Sequence, residues 1–204
     1  MSLAMLLLTV VAVLIYFGVL ERVLDRMRLH DRTALLLVVL MFIGTLLPDI
    51  VVGRVSVNIG GAVIPLGVCA YMLVKGRSGR AVLRSIAGSL LTAAAVYLLG
   101  LLLPDEPEAM LIDPNLLYGL AGGVIASVLG RSRRGAFICG VAGVLLADTL
   151  VAVMNWRQGI AQQLTLGGAG VADACVLSGV LAVLLTELAG EIRERLSRRK
   201  ENRA

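Results

Sequence analysis

GAFICGVAGVLLADTLVAVM, residues 135–154, and GGAGVADACVLSGVLAVLL, residues 167–185, decide the fold. Each run is close to the ~20 apolar residues with which an α-helix crosses a bilayer. Each also carries one aspartate, Asp148 or Asp173, and no basic residue. A carboxylate in hydrocarbon costs at least about 2.5–3.5 kcal/mol on insertion scales, so such residues are expected to face a bundle interior and to act there.

The rest of the chain agrees with a membrane reading. Its 204 residues are 58% apolar, with a mean hydropathy of +0.92. The 23 glycines suit close helix–helix contact in lipid, and the 4% of aromatics leaves few residues for interfacial belts. The expected fold is all-α, a polytopic membrane protein of about seven spans. These run over 2–20, 33–52, 57–74, 81–103, 116–129, 135–154 and 168–189. They form a single transmembrane domain, 1–190, ahead of a basic tail, 191–204. Residues 2–20 lack the basic start and small-residue cleavage site of a signal peptide and are expected to be retained as a helix.

Connections rich in arginine and lysine (21–32, 75–80, 131–134 and the tail) alternate with connections poor in them (53–56, 104–115, 155–167). By the positive-inside rule the N-terminus is then outside and the C-terminus cytoplasmic. The net charge of +5 therefore belongs to loops at a lipid surface, the bilayer being the expected partner, and no nucleic-acid partner is expected. Residues 21–32 read equally as a short interfacial helix or a solvated basic loop. Cys69, Cys139 and Cys175 lie in apolar segments and read as buried packing residues. His30 is the only histidine, so no metal centre is expected. Arg84 and Glu187 read as structural groups near the cytoplasmic interface, Glu187 reaching towards Arg84 or the tail arginines.

The middle of the chain echoes itself at an offset near 55 residues. LLPD (46–49) returns at 102–105, GGAVI (60–64) as AGGVIA (121–126), GRSGR (76–80) as GRSRR (130–134), and IAGSLL (86–91) as VAGVLL (141–146). Each unit holds two spans, which predicts a parallel internal repeat. Thr92 and Ala93 follow the first IAGSLL-type stretch, whereas Ala147 and Asp148 follow the second.

At 1.5 Å per residue, Asp148 lies about 9 Å and Asp173 about 8 Å from the outer ends of their spans. Consecutive spans usually pack antiparallel, which puts both carboxyls at one depth. Two carboxylates in low dielectric cannot both ionise easily, so one is an acid and the other a base. That is the chemistry that activates water against an amide and protonates the leaving nitrogen, with no cofactor. Asp49, Asn58, Asp113, Asn115, Gly168 and Gly170 gather at the same outer level as substrate-binding or supporting residues. Asp113-Pro114-Asn115 also reads as a helix-start signal. Three functions stay open: an Asp148/Asp173 peptidase acting on a membrane-embedded peptide, a small channel or transporter with an outer carboxylate site, and a non-catalytic envelope or sporulation scaffold. The oligomeric state is not readable.

Two resemblances follow from these motifs. NIGGAVIPL (58–66), DPNLLYG (113–119) and GGAGVADACVLSGVLAVLL (167–185) resemble a family of bacterial multi-pass membrane proteins known only as a domain of unknown function. That resemblance implies a bacterial cytoplasmic (inner) membrane and no activity. GAGVAD followed by an apolar helix resembles the GxGD motif of the presenilin, signal-peptide-peptidase and prepilin-peptidase class, which implies that Asp148 and Asp173 form a catalytic pair. The motif here is two residues longer than GxGD, no Tyr precedes Asp148, and no Pro-Ala-Leu follows.

Overall fold

The computed structural model describes residues 31–76, 78–103 and 113–201. The expected span 2–20, residues 21–30 and most of the 104–115 connection lie outside these residues. Six α-helices dominate: α1 (Asp31–Leu46), α2 (Ile64–Val74), α3 (Gly79–Leu102), α4 (Pro114–Gly130), α5 (Arg133–Arg157) and α6 (Ala174–Glu201). Between them stand three short strands: β1 (Ile50–Val52), β2 (Val55–Val57) and β3 (Leu164–Leu166). A π-type turn, Ile59–Val63, leads into α2, and a single 3-10 turn, Gly170–Ala172, precedes α6.

The helix limits follow local chemistry. Pro48 has no N–H and restricts the residue before it, so α1 stops at Leu46. The span expected over 33–52 is corrected accordingly: Ile50–Val57 is a hairpin. Its β-branched residues favour the extended state, and Gly53 turns the chain at a φ of 61°. Pro65 and Pro114 occupy first-turn positions, where a missing N–H is harmless. Ser132 caps α5 by accepting from the Gly135 N–H at 3.1 Å. The last expected span begins late, because Gly168–Asp173 is not α-helical. It also continues further, α6 running through much of the segment read as a tail.

Glycines register the bundle. Gly88 receives Cys139 and Gly143 receives Thr92, so α3 and α5 run parallel. Gly119, Gly122 and Gly123 receive Leu177, Ser178 and Leu181, which sets α4 parallel to α6. Gly140 meets the backbone of Ser178, and Gly179 meets Val141 and Phe137, so α5 and α6 are antiparallel. The buried side of α5 is made mostly of small residues, including Ala136, Cys139, Val141, Val144 and Ala147, with Ile138 and Leu145 among them. Large apolar side chains point outward instead, among them Phe42 and Ile43 of α1 and Leu90, Leu98 and Leu101 of α3. Small residues inside and large apolar ones outside is the arrangement that lipid favours. Among the described residues three helical stretches, Gly79–Leu102, Arg133–Arg157 and Ala174–Glu194, are long and apolar enough to cross a membrane. All three cysteines are buried and unpaired.

An unexpected small sheet joins the two loop regions in the order β1-β2-β3. β1 and β2 are antiparallel, and β2 and β3 are parallel, pairing Val55 with Leu164 and Val57 with Leu166. Leu164 donates its N–H to the Arg54 carbonyl (2.9 Å), and Leu166 accepts from the Asn58 N–H (3.0 Å). Alternation along a strand then turns the backbone groups of Thr165 to the other side, the outer edge of the sheet.

A Cβ on Gly140 would stand 2.8 Å from the Ser178 carbonyl oxygen, whereas a Cβ on Gly67 meets nothing within 4 Å. Gly140→Ala is therefore predicted to cost about 1–3 kcal/mol, the usual cost of overpacking. Gly67→Ala is predicted to leave stability unchanged or slightly raised. Thermal denaturation of the two detergent-solubilised variants checks this contrast.

Candidate functional site

The site is built where two pieces of non-helical backbone meet. Left-handed conformations at Gly167 (φ 68°) and Gly170 (φ 62°) fold the chain after β3 into a tight loop. That loop lies against the π-type turn so closely that a Cβ on Gly61 would strike the Gly167 carbonyl. Thr45 of α1 ties the junction, donating its hydroxyl to the Met41 carbonyl (2.8 Å) and accepting from the Val171 N–H (3.1 Å). Cys175 adds a third tie, its thiol donating to the Gly61 carbonyl at 3.0 Å.

Asp173 sits at this junction and is 8% exposed, so its carboxylate needs internal donors. One oxygen accepts from the Cys175 N–H (3.1 Å) and the other from the Ala169 N–H (3.3 Å). The first of these bonds caps α6. Asn115, from the first turn of α4, straddles the same residue. Its side-chain amide donates to the Ala172 carbonyl (3.0 Å) and accepts from the Ala174 N–H (2.8 Å).

Asp148 approaches from α5. It is half-buried and opens on a cavity of about 320 Å³. Tyr97 of α3, Tyr118 of α4, Gln162, Gln163 and the β3 residues Leu164 and Thr165 form the walls around it. The loop carrying the two glutamines is held by Trp156, whose indole N–H donates to the Gln162 carbonyl at 2.7 Å. Measured from the Gly140–Ser178 contact, Asp148 lies about 12 Å along α5 and Asp173 about 8 Å back along α6, so the two are at similar levels. The cavity thus has one carboxyl group, phenol and amide groups and an apolar side of Val96, Val151 and Ala152 on its walls, with Asp173 outside the lining at a similar level.

The other expected residues divide. Asn58 is buried and braces the hairpin: its amide donates to Asp49 (2.7 Å) and accepts from the Gly61 N–H (2.9 Å). Ser56 donates to the second Asp49 oxygen at 3.1 Å. Asp49 and Asn58 therefore support the junction from the sheet side, and Gly170 shapes its loop. Gly168 is exposed next to Thr165. Asp113 is exposed and caps α4 through the Asn115 and Leu116 N–H groups (2.8 and 3.4 Å), the helix-start role that its sequence signalled. Tyr97, Tyr118, Gln162, Gln163, Thr165 and Thr45 were not foreseen, since nothing local in their sequence marks them.

Residues 20–185 match the family described as "Protein of unknown function (DUF1614)", and the chain belongs to that family. No curated protein and no solved structure matches it. The matched range includes the whole junction, from Thr45 to Cys175.

Asn115→Ala removes two hydrogen bonds around a buried carboxylate and leaves the Ala174 N–H unpaired. It is predicted to cost about 2–4 kcal/mol, from the cost of an unsatisfied buried group together with two lost bonds. Asp113→Ala, at an exposed cap, is predicted to cost about 1 kcal/mol. Unfolding midpoints in detergent should rank the two variants in that order.

Proposed function

We propose that this member of the DUF1614 family is an intramembrane aspartyl peptidase that hydrolyses a peptide bond of a membrane-embedded polypeptide, with Asp148 and Asp173 as its acid/base pair. The observation that carries the reading is that Asp148 on α5 and Asp173 at the start of α6 stand at similar levels of two contacting antiparallel helices, Asp148 opening on a cavity that Tyr97, Tyr118, Gln162 and Thr165 also line. One carboxylate takes a proton from water as that water's oxygen bonds to the carbonyl carbon. The other gives its proton to the nitrogen as the C–N bond breaks. The electrons of the broken bond stay on the leaving amine. Neither step calls for a cofactor.

The sheet supports a polypeptide as substrate. A peptide bond in a lipid-embedded helix is shielded by its neighbours and by its own hydrogen bonding. It becomes reachable when the segment extends. β3 is an edge strand, and Thr165 is exposed beside Asp148 with its backbone groups turned away from β2. Such an edge pairs readily with an extended chain.

In this reading the chain crosses a bacterial inner membrane about seven times, with the N-terminus outside, and the site lies beneath the outer surface. The alternating helix directions read from the glycine contacts support that path. The proposed duplication draws support from α3 and α5. Gly88 and Gly143, equivalent in the repeated stretches, each receive a side chain of the other helix.

Asp173 also caps α6, so the test must separate capping from chemistry. Asparagine caps a helix about as well as aspartate does. Asp148→Asn and Asp173→Asn are therefore predicted to fold with near-unchanged unfolding midpoints. Each is predicted to lose the release of soluble fragments from single-span peptides in proteoliposomes. Each should also lose labelling by a photoreactive peptide bearing a hydroxyl isostere of the tetrahedral intermediate, which binds an intact pair tightly. Cleavage and labelling that persist in both variants would leave the aspartates as packing and capping residues.

A further inference from the structure

A second and larger cavity opens about 22 Å along α5 from Asp148, by the helical rise. Its volume is about 1360 Å³, and it lies between the start of α3, the α4–α5 turn and the lower part of α6. None of the chemistry proposed above uses it.

Its wall is highly charged, with four arginines to three glutamates. Arg131, Arg133, Arg134 and Arg193 line it. The turn that presents the first three is tight: Gly130 packs against the backbone of Gly135 and Ala136, and Arg131 takes a φ of 52°, a left-handed conformation that is uncommon for a residue with a side chain. Strain of this kind persists where the surroundings fix it, often at ligand sites. Arg133 is committed to an ion pair with Glu187, which corrects the expectation that Glu187 turns to Arg84 or the tail. Glu191 and Glu194 also face the cavity and have partners of their own. Arg134 differs: its Nε is buried and has no hydrogen-bond partner among the described residues. A buried donor left unpaired costs about 1–3 kcal/mol, more when charged, so an acceptor oxygen brought to this guanidinium is favoured.

Two long helices begin on the same cavity. Ser78 precedes α3 without a side-chain cap, and Ser132 precedes α5. Their first-turn N–H groups add to the positive potential. Part of the wall is apolar: Leu73, Val82 and Val128 line it, and Val128 is exposed. An anion that fits must carry acceptor oxygens at one end and hydrocarbon at the other.

We infer that this cavity binds the phosphate of an anionic phospholipid headgroup, with Arg134 and Arg131 on the phosphate oxygens, the α3 and α5 N-termini behind them, and the acyl chains along the Val82–Val128 wall. Arginine presents a planar fork that matches phosphate. The cytoplasmic leaflet, where the basic loops are expected, is the anionic one.

The full chain, purified in a neutral detergent, is titrated with phosphatidylglycerol, phosphatidylcholine and inorganic phosphate. Thermal denaturation gives the apparent affinity, and native mass spectrometry counts retained lipid. Phosphatidylglycerol is predicted to raise the unfolding midpoint and to be retained, and the other two are predicted to do neither. Arg134→Gln and Arg134→Lys are each predicted to weaken the response about tenfold or more, as loss of a charge-assisted pair requires. Arg80→Gln, an exposed arginine outside the cavity, is predicted to respond like the parent chain. An equal response to phosphatidylcholine overturns the proposal, as does full retention by the Arg134 variants. A response to inorganic phosphate that matches the lipid replaces the lipid with a soluble phosphate. Should the Arg134 variants fail to fold, the comparison of the two lipids on the parent chain still decides.

Discussion

Backbone that leaves the helical path inside an apolar fold has to find its hydrogen bonds within the protein, and this constraint governs the architecture. Ile59–Val63 and Gly167–Asp173 are two places among the described residues where it applies. They answer it by leaning on each other. Asn58 and Asp173 supply side-chain acceptors for freed N–H groups, Thr45 supplies another, and the Cys175 thiol covers the Gly61 carbonyl. Glycine at 61 and 167 lets the two loops approach to backbone distance, and glycine at 60 and 170 seats them against α1 at Met41 and Thr45.

That junction explains the position of the candidate site. Holding the loops together fixes where α6 begins and hence where the Asp173 carboxyl stands. The same loop is tied through β3 to the hairpin, so the edge strand and Asp173 cannot move independently. α5 needs none of these devices. Its small buried face, pressed on α6 at Gly140, brings Asp148 to the level of the junction by helix packing alone. A loop-held carboxyl and a helix-held carboxyl thus come to similar levels of the bundle, the second of them on the cavity wall.

The helices over 81–103, 116–129 and 135–154 were legible because long apolar runs bounded by glycine, proline and arginine have few other uses. The end of α1 was not. Hydropathy counts Ile50, Val51 and Val52 as span, although β-branched residues beside Gly53 carry a hairpin signal as well, and Pro48 marks the break. β3 was illegible, since a three-residue strand is defined by a partner more than a hundred positions away. In the site, Asp148, Asp173, Asn58 and Asn115 stood out as polar groups in apolar surroundings, where burial demands a reason. Tyr97, Tyr118 and Thr165 did not, because only the packing of three helices and a strand turns them towards one cavity. Asp113 shared the composition of the site residues but not their place, its role being finished by the cap of α4.

The central claim is that Asp148 and Asp173 act as one unit. A double-mutant cycle on the dissociation constant of a hydroxyl-isostere peptide tests it most directly, comparing the parent chain, Asp148→Asn, Asp173→Asn and the double variant. Groups that share one task are strongly non-additive. The account predicts that each single variant loses nearly all the affinity and that the double variant loses no more. Losses that simply add, or binding that ignores both substitutions, would contradict it.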